Sequence, residues 1–121
     1  MNARIVSRGL LGLTVALILG CHRGDKNKCE QAVRNVFVLT FWHDGEKQLA
    51  KLPEAQRLDQ RRLLEQKFDT MMKQDFARIV SQCVAAGDDD RADCMIKADT
   101  CAKAKACMPG DSTVDISGQC Q

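Results

Sequence analysis

Apolar residues in the middle of the chain recur at helical spacing. Successive members are three or four positions apart, except that Val80 directly follows Ile79. The residues are Leu64, Phe68, Met72, Phe76, Ile79, Val80 and Cys83. Such a series forms one apolar stripe along an α-helix. Pro53 suits the first position of a helix and Gly87 suits its end. The pattern therefore predicts a helix from Pro53 or Glu54 to about Ala86, whose less regular first half extends beyond the core.

An earlier segment carries a similar but shorter pattern. Its apolar face consists of Cys29, Ala32, Val33, Val36, Phe37 and Thr40. Asn27, followed by Glu30, matches an N-cap with its reciprocal partner, so a helix over 28–41 is predicted. The valines at 33, 36 and 38 leave a strand open as the alternative. We expect Gly45 to end this segment and residues 45–52 to form a linker.

Polar residues mark two further short helices. Asp88, Asp89 and Asp90 follow Gly87 and suit the start of a helix over about 90–98. Asp99 or Thr100 can cap a fourth helix over 101–108, although one continuous helix through Cys107 is the alternative. The acidic run lacks the ligand spacing of a calcium loop. The fold predicted is all-α, a small disulfide-stapled bundle of three to four helices.

The start of the chain has the pattern of an export signal. Arg4 and Arg8 precede a 12-residue apolar run over 9–20, which is too short to cross a bilayer. A buried core helix and a membrane anchor are the alternatives. Ile18-Leu19-Gly20-Cys21 resembles a bacterial lipobox, and the resemblance implies cleavage before Cys21 and acylation of its sulfur, with palmitate as the expected lipid. Leu19 departs from the small residue that is usual at this position of the lipobox. His22 follows Cys21, whereas lipoproteins retained in the inner membrane have Asp there, so the resemblance implies the outer membrane of a Gram-negative bacterium.

Charge and composition exclude several classes of protein. Without Arg4 and Arg8, 16 basic and 16 acidic residues remain, so the exported part is formally neutral. Because no block of basic residues occurs, a nucleic-acid partner is not expected. With four Phe, one Trp and no Tyr, the aromatic content is low for a β-sandwich or barrel. The predicted division of the chain is a signal at 1–20, a lipidated tether at 21–27, a helical domain at 28–108 and a polar tail at 109–121.

Six cysteines remain once Cys21 is assigned to lipid: Cys29, Cys83, Cys94, Cys101, Cys107 and Cys120. An even number in a small exported domain predicts disulfides, and six cysteines allow 15 pairings. A tight helical turn would bring Cys83 close to Cys94, which makes this the preferred pair. If Cys83 is bonded to Cys94, Cys29 could pair with Cys107, which would leave Cys101 to pair with Cys120. Without a Cys-x-x-Cys motif, neither a metal site, a haem site nor a thioredoxin-like site is expected.

The cysteine layout also resembles a group of envelope proteins. It comprises Cys29-Glu-x-Ala-Val33, Cys83, Asp93-Cys94, Ala98, Thr100 and Cys107. Over roughly 28–108 these positions are similar to small, helical, cysteine-containing lipoproteins of Gram-negative envelopes. In this comparison Cys101 and Cys120 are additions. The group has no assigned activity, so the resemblance implies a fold and a location.

No motif in the chain indicates catalysis. His43-Asp44 could suggest acid–base chemistry, but no third group supports it, and a turn is the preferred interpretation. Met71 and Met72 suit the core, with an adaptable binding face as the alternative. We therefore expect no enzyme activity, no catalytic residue and no cofactor. The predicted function is a membrane-anchored envelope lipoprotein with a structural or protein-interaction role, docking through the second helix; a periplasmic ligand-binding or inhibitor module is the alternative.

Overall fold

A computed structural model describes residues 23–108 and Cys120, and the described part of the chain is helical. It contains four helices, namely α1 (Lys26–Ala50), α2 (Glu54–Ala86), α3 (Asp89–Lys97) and α4 (Cys101–Ala106). No strand occurs among these residues. The prediction of a small all-α bundle stapled by disulfides is confirmed, and the strand alternative for the first segment is wrong.

Helix α1 is longer than the sequence pattern predicted, because Gly45 does not end it. Gly45 is buried inside the helix, and a Cβ atom there would lie 3.3 Å from Cε3 of Trp42 and 3.5 Å from Cδ1 of Leu64. Glycine therefore serves close packing at this position, which offsets its helix-interior cost of about 1 kcal/mol. The linker predicted over 45–52 shrinks to residues 51–53.

The N-cap of α1 is also different from the predicted one. The Asp25 carboxylate accepts a hydrogen bond from the Lys28 N–H at 3.1 Å, so Asp25 occupies the capping position instead of Asn27. Just before it, the Gly24 N–H donates to the Val84 carbonyl at 2.9 Å. This backbone bond ties the chain to the end of α2 and sets where α1 begins.

Helix α2 agrees closely with its predicted bounds. Pro53 lies at the N-cap position, and α2 runs antiparallel to α1 after the short turn. Gly87 adopts a left-handed conformation with φ of 62°, and its N–H donates to the Cys83 carbonyl. Both ends thus follow from local conformational preferences of proline and glycine.

Helices α3 and α4 are two separate short helices, so the continuous alternative is wrong. Asp88 caps α3 by accepting from the Arg91 N–H, and Thr100 caps α4 by accepting from the Lys103 N–H. Between them Ala98 is extended. The Asn35 side-chain amide donates to two carbonyls of this segment at 2.8 Å, which fixes the end of α3 against α1.

Helix α1 lies between the other elements, with two cores on its two sides. Towards α2, buried Val33, Phe37 and Val80 pack with Met71 and Met72, which confirms the two methionines as core residues. On the other side, the core consists of Ala32, Val36, Ala92, Met95, Ala98 and Ala104. The residues of α1 in this second core are Ala32, Val36 and the partly buried Leu39, so α3 and α4 pack on the first half and middle of α1.

All six predicted disulfide candidates are paired, and two of the three predicted pairs are wrong. The bonds join Cys29 to Cys83, Cys94 to Cys107 and Cys101 to Cys120, with Cα–Cα distances of 5.8, 5.7 and 5.4 Å. Cys83–Cys94 does not form because Cys83 faces α1 from α2, whereas Cys94 lies on the exposed side of α3 and reaches Cys107 at the end of α4. The same two bonds exclude Cys29–Cys107. The Cys101–Cys120 pair is confirmed.

Candidate docking surface

The face of α1 beyond the reach of α3 and α4 forms an open apolar recess. Its volume is about 630 Å³, and the side chains along it include Val38, Trp42, His43 and Lys47. The loop between α3 and α4 closes one end through residues 99–101. Val38 remains 39% exposed, which is a large value for a valine directly beside the core.

A second recess continues the first towards the turn between α1 and α2. It has a volume of about 460 Å³ and is lined by Glu46 and Ala50, which also line the first recess. On the α2 side it adds Arg57 and Leu58. Leu58 is 61% exposed. We call the two recesses together the distal surface; from Val38 to Ala50 it extends about 18 Å along α1.

Trp42 forms a fixed wall of the distal surface. Its ring packs edge-on against Phe41 at 5.4 Å between centroids and lies 6.3 Å from Phe68 of α2. The Arg61 guanidinium lies over the indole ring at 5.7 Å and donates to the Glu46 carboxylate at 2.8 Å. Stacking and ion pairing hold Arg61 on the ring, so the wall is ordered without any ligand.

His43 contributes a polar atom with no partner. Its Nε2 is buried, and no hydrogen-bond partner for it exists among the described residues. The predicted turn at His43-Asp44 is wrong, because both residues lie within α1. Neighbouring side chains on a helix diverge by about 100°, so Asp44 does not stand in line to orient the imidazole. The His43-Asp44 pair is therefore not arranged as a base with its orienting carboxylate.

Two ion pairs shift the pKa values of their members. The hydrogen bond from the Lys28 ammonium to Asp93, at 3.3 Å, raises the pKa of Lys28 and links α1 to α3. Lys103 donates to Asp99 at 2.9 Å and lowers the pKa of that carboxyl group. Asp99 borders the distal surface, so this pair helps to define its closed end.

Other predicted site residues are placed elsewhere or lie outside the described residues. Cys21 and the signal sequence are among the latter. Asp88 caps α3 and Asp93 binds Lys28, which is the structural role expected for the acidic run. In the part of the chain that the structure describes, no group of three or more His, Cys, Asp or Glu side chains is arranged to hold a metal ion. No described helix combines the length and apolar character needed to cross a membrane.

The sequence analysis did not predict the recesses that form the distal surface. It proposed docking through the second helix, on which Leu58 lies, and it did not include Val38 of α1. A continuous helical pattern through Gly45 to buried Leu49 was the signal that could have revealed the longer α1. Comparisons of the chain with protein-family models, with curated proteins and with solved structures found no match.

Proposed function

We propose that this protein is a lipid-anchored module of the bacterial envelope, without enzyme activity, that docks another envelope protein through the distal surface. The observation that carries the proposal is the continuous apolar face formed by Val38, Trp42, Ala50 and Leu58. A small exported domain buries only a limited apolar area in its core. An apolar face that stays in contact with water adds nothing to its stability unless a partner covers that face.

The short tether supports an outward orientation of this surface. Cys21 precedes Gly24 by three residues, a span of at most about 10 Å. Gly24 is bonded to Val84, so a lipid on Cys21 would hold the joined ends of α1 and α2 close to the bilayer. The 25 residues of α1 then extend about 37 Å from that end. On this proposal the distal surface lies far from the lipid and is accessible to a partner.

A small-molecule ligand is the second candidate for the same surface. The recess of about 630 Å³ favours it, because ligand sites combine apolar walls with a few polar side chains, here His43 and Lys47. The two candidates differ in what they need. A small ligand fits in the first recess, whereas a docked protein also uses Leu58 in the second.

The experiment uses native electrophoresis of gently solubilised envelope membranes. We expect the wild-type protein to migrate in a complex larger than its own mass, and Leu58→Asp to release it. Leu63→Asp is the matched control, since Leu63 is 52% exposed on the same helix but lines neither recess. Equal migration of all three proteins as free chains would contradict docking. Loss of the complex in both variants would place the contact elsewhere on α2.

The anchor is tested separately by mass spectrometry of the mature protein. We expect an N-terminal peptide beginning at acylated Cys21, and an unacylated chain that keeps residues 1–20 in Cys21→Ser. An unmodified Cys21 in an uncleaved chain would contradict the lipid-anchor part of the proposal.

A further inference from the structure

We propose that maturation of this protein requires a thiol-disulfide isomerase, an exported protein with a reactive cysteine thiol that rearranges wrongly paired disulfides. The observation that carries the proposal is the interlaced order of two bonds, Cys94–Cys107 and Cys101–Cys120. This inference goes beyond the docking proposal and shares with it only the export of the chain to an oxidising compartment.

The two bonds are interlaced because each one joins a cysteine inside the loop of the other to a cysteine outside it. Cys101 lies between Cys94 and Cys107, and Cys107 lies between Cys101 and Cys120. The disulfide between α1 and α2, by contrast, joins two cysteines that are consecutive in the chain. Oxidation in the order in which the cysteines are exported joins consecutive cysteines, so it would produce Cys94–Cys101 and Cys107–Cys120.

Loop length favours the same consecutive pairs. They close separations of seven and 13 positions in the sequence, whereas the native bonds close 13 and 19. The probability that an unfolded loop closes falls with about the 3/2 power of its length, so the consecutive pairing is favoured about four- to fivefold. Of the three ways to pair these four cysteines, the native one has the largest product of loop lengths, and unfolded chains form it least often.

The packing of α4 opposes the non-native bond between Cys94 and Cys101. Cys101 is only 4% exposed at the start of α4, whereas Cys94 is exposed on α3 and bonds Cys107 at the other end of α4. A Cys94–Cys101 bond would draw Cys101 towards the surface and lift Ala104, which is fully buried, out of its core. Folding therefore favours the native pairs once the bonds can exchange.

Three thiol–disulfide exchanges convert the consecutive pairs to the native ones without net oxidation. The isomerase thiolate attacks the exposed sulfur of Cys94, the bond to Cys101 breaks, and Cys101 leaves as a thiolate. That thiolate attacks the sulfur of Cys120, which forms Cys101–Cys120 and releases the thiolate of Cys107. Cys107 then attacks the mixed disulfide at Cys94, which forms Cys94–Cys107 and returns the isomerase thiolate.

Disulfide mapping in living cells tests this requirement. The full-length protein is expressed in two isogenic Gram-negative strains, one with and one without the periplasmic disulfide isomerase. Free thiols are alkylated, and the bonded peptides of the unreduced protein are identified by mass spectrometry. Cleavage after Lys97 and Lys105 and before Asp111 places each of the last four cysteines on its own peptide.

Without the isomerase we expect the share of chains with Cys94–Cys107 to fall about four- to fivefold, with Cys94–Cys101 in its place. The bond between α1 and α2 should stay within about twofold, because its two cysteines are consecutive. The readout is the identity of the bonded cysteines, so a chain that fails to fold still gives a result.

Two variants are matched controls, because each leaves one pair where the wild type has two interlaced pairs. Cys101→Ala with Cys120→Ala leaves Cys94 and Cys107 as consecutive cysteines. Cys94→Ala with Cys107→Ala does the same for Cys101 and Cys120. In both variants the remaining native bond should form to within about twofold in the two strains.

Three outcomes would overturn the proposal. Equal shares of Cys94–Cys107 in the two strains would show that no isomerase is needed. An equal loss of this bond in the control variant would show that interlacing is not the cause, as would a loss of Cys29–Cys83 by the same factor. Complete alkylation of all six cysteines in both strains would contradict export itself, and it differs from mispairing because no bonded peptides would be found.

Discussion

Removal of the Cys29–Cys83 disulfide tests how the bundle is held together. This bond spans 54 residues and joins the start of α1 to the end of α2, whereas Cys94–Cys107 spans 13. Chain entropy of the unfolded state increases with the length of the loop that is opened. The spans of 54 and 13 residues correspond to about 4 and about 3 kcal/mol of stabilisation, respectively. The double variant Cys29→Ala with Cys83→Ala should therefore be less stable than the double variant Cys94→Ala with Cys107→Ala.

Packing acts in the same direction as entropy. Cys29 is 2% exposed, and Cys83 packs against the cores on both sides of α1. Loss of two sulfur atoms there removes buried contacts, whereas Cys94 is exposed and Cys107 only partly buried. The difference in free energy of unfolding between the two double variants should consequently exceed the roughly 1 kcal/mol expected from loop length alone.

The assay is urea unfolding of the oxidised proteins, followed by far-ultraviolet circular dichroism. We expect both variants to have a larger m-value than wild type, because their unfolded chains expose more surface, and the lower midpoint for the variant without Cys29–Cys83. Under reducing conditions the three proteins should become much closer in stability. A lower free energy of unfolding for the variant without Cys94–Cys107 would refute the reasoning.

Three further substitutions probe packing, polar contacts and charge. Gly45→Leu should destabilise the protein by about 1–3 kcal/mol in thermal unfolding, because its side chain would collide with Trp42; an unchanged Tm would contradict that contact. Asn35→Ala should lower the free energy of unfolding, measured in urea, by about 1–3 kcal/mol, because two hydrogen bonds to carbonyls at the end of α3 are lost. In the same variant, faster amide exchange should be confined to α3 and α4. In an NMR titration the carboxyl group of Asp99 should titrate below its ordinary pKa of 3.8, and Lys103→Met should return it there. The stabilisation from this pair is present above pH 3.8 and is lost as pH falls through the lowered pKa.

Local signals in the sequence predicted much of the fold. The start of α2 at Pro53 and its end at Gly87 follow from the backbone preferences of those two residues, which act wherever the chain lies. The caps at Asp88 and Thr100 likewise depend on hydrogen bonds to an N–H only three residues away. The apolar stripe in the second half of α2 identified the residues that face α1, because apolar residues there recur with one helical period.

Features that depend on distant contacts were predicted wrongly. Gly45 is a helix terminator by local preference, but Trp42 and Leu64 pack so closely against it that the helix continues. The pairing of Cys83 with Cys29 depends on which face of α2 meets α1 near the tether, and sequence spacing contains no such information. The recess along α1 was not predicted, because its extent depends on how far α3 and α4 cover α1.

Site-specific photo-crosslinking in living cells tests the docking proposal most directly. A photoreactive amino acid is introduced at Val38 in one strain and, in another, at Lys67, which is exposed on α2 and lines neither recess. The proposal predicts one dominant envelope protein crosslinked from position 38, lost in Leu58→Asp, and no such product from position 67. No product from position 38, or the same products from both positions, would contradict the assignment of the distal surface as the docking site.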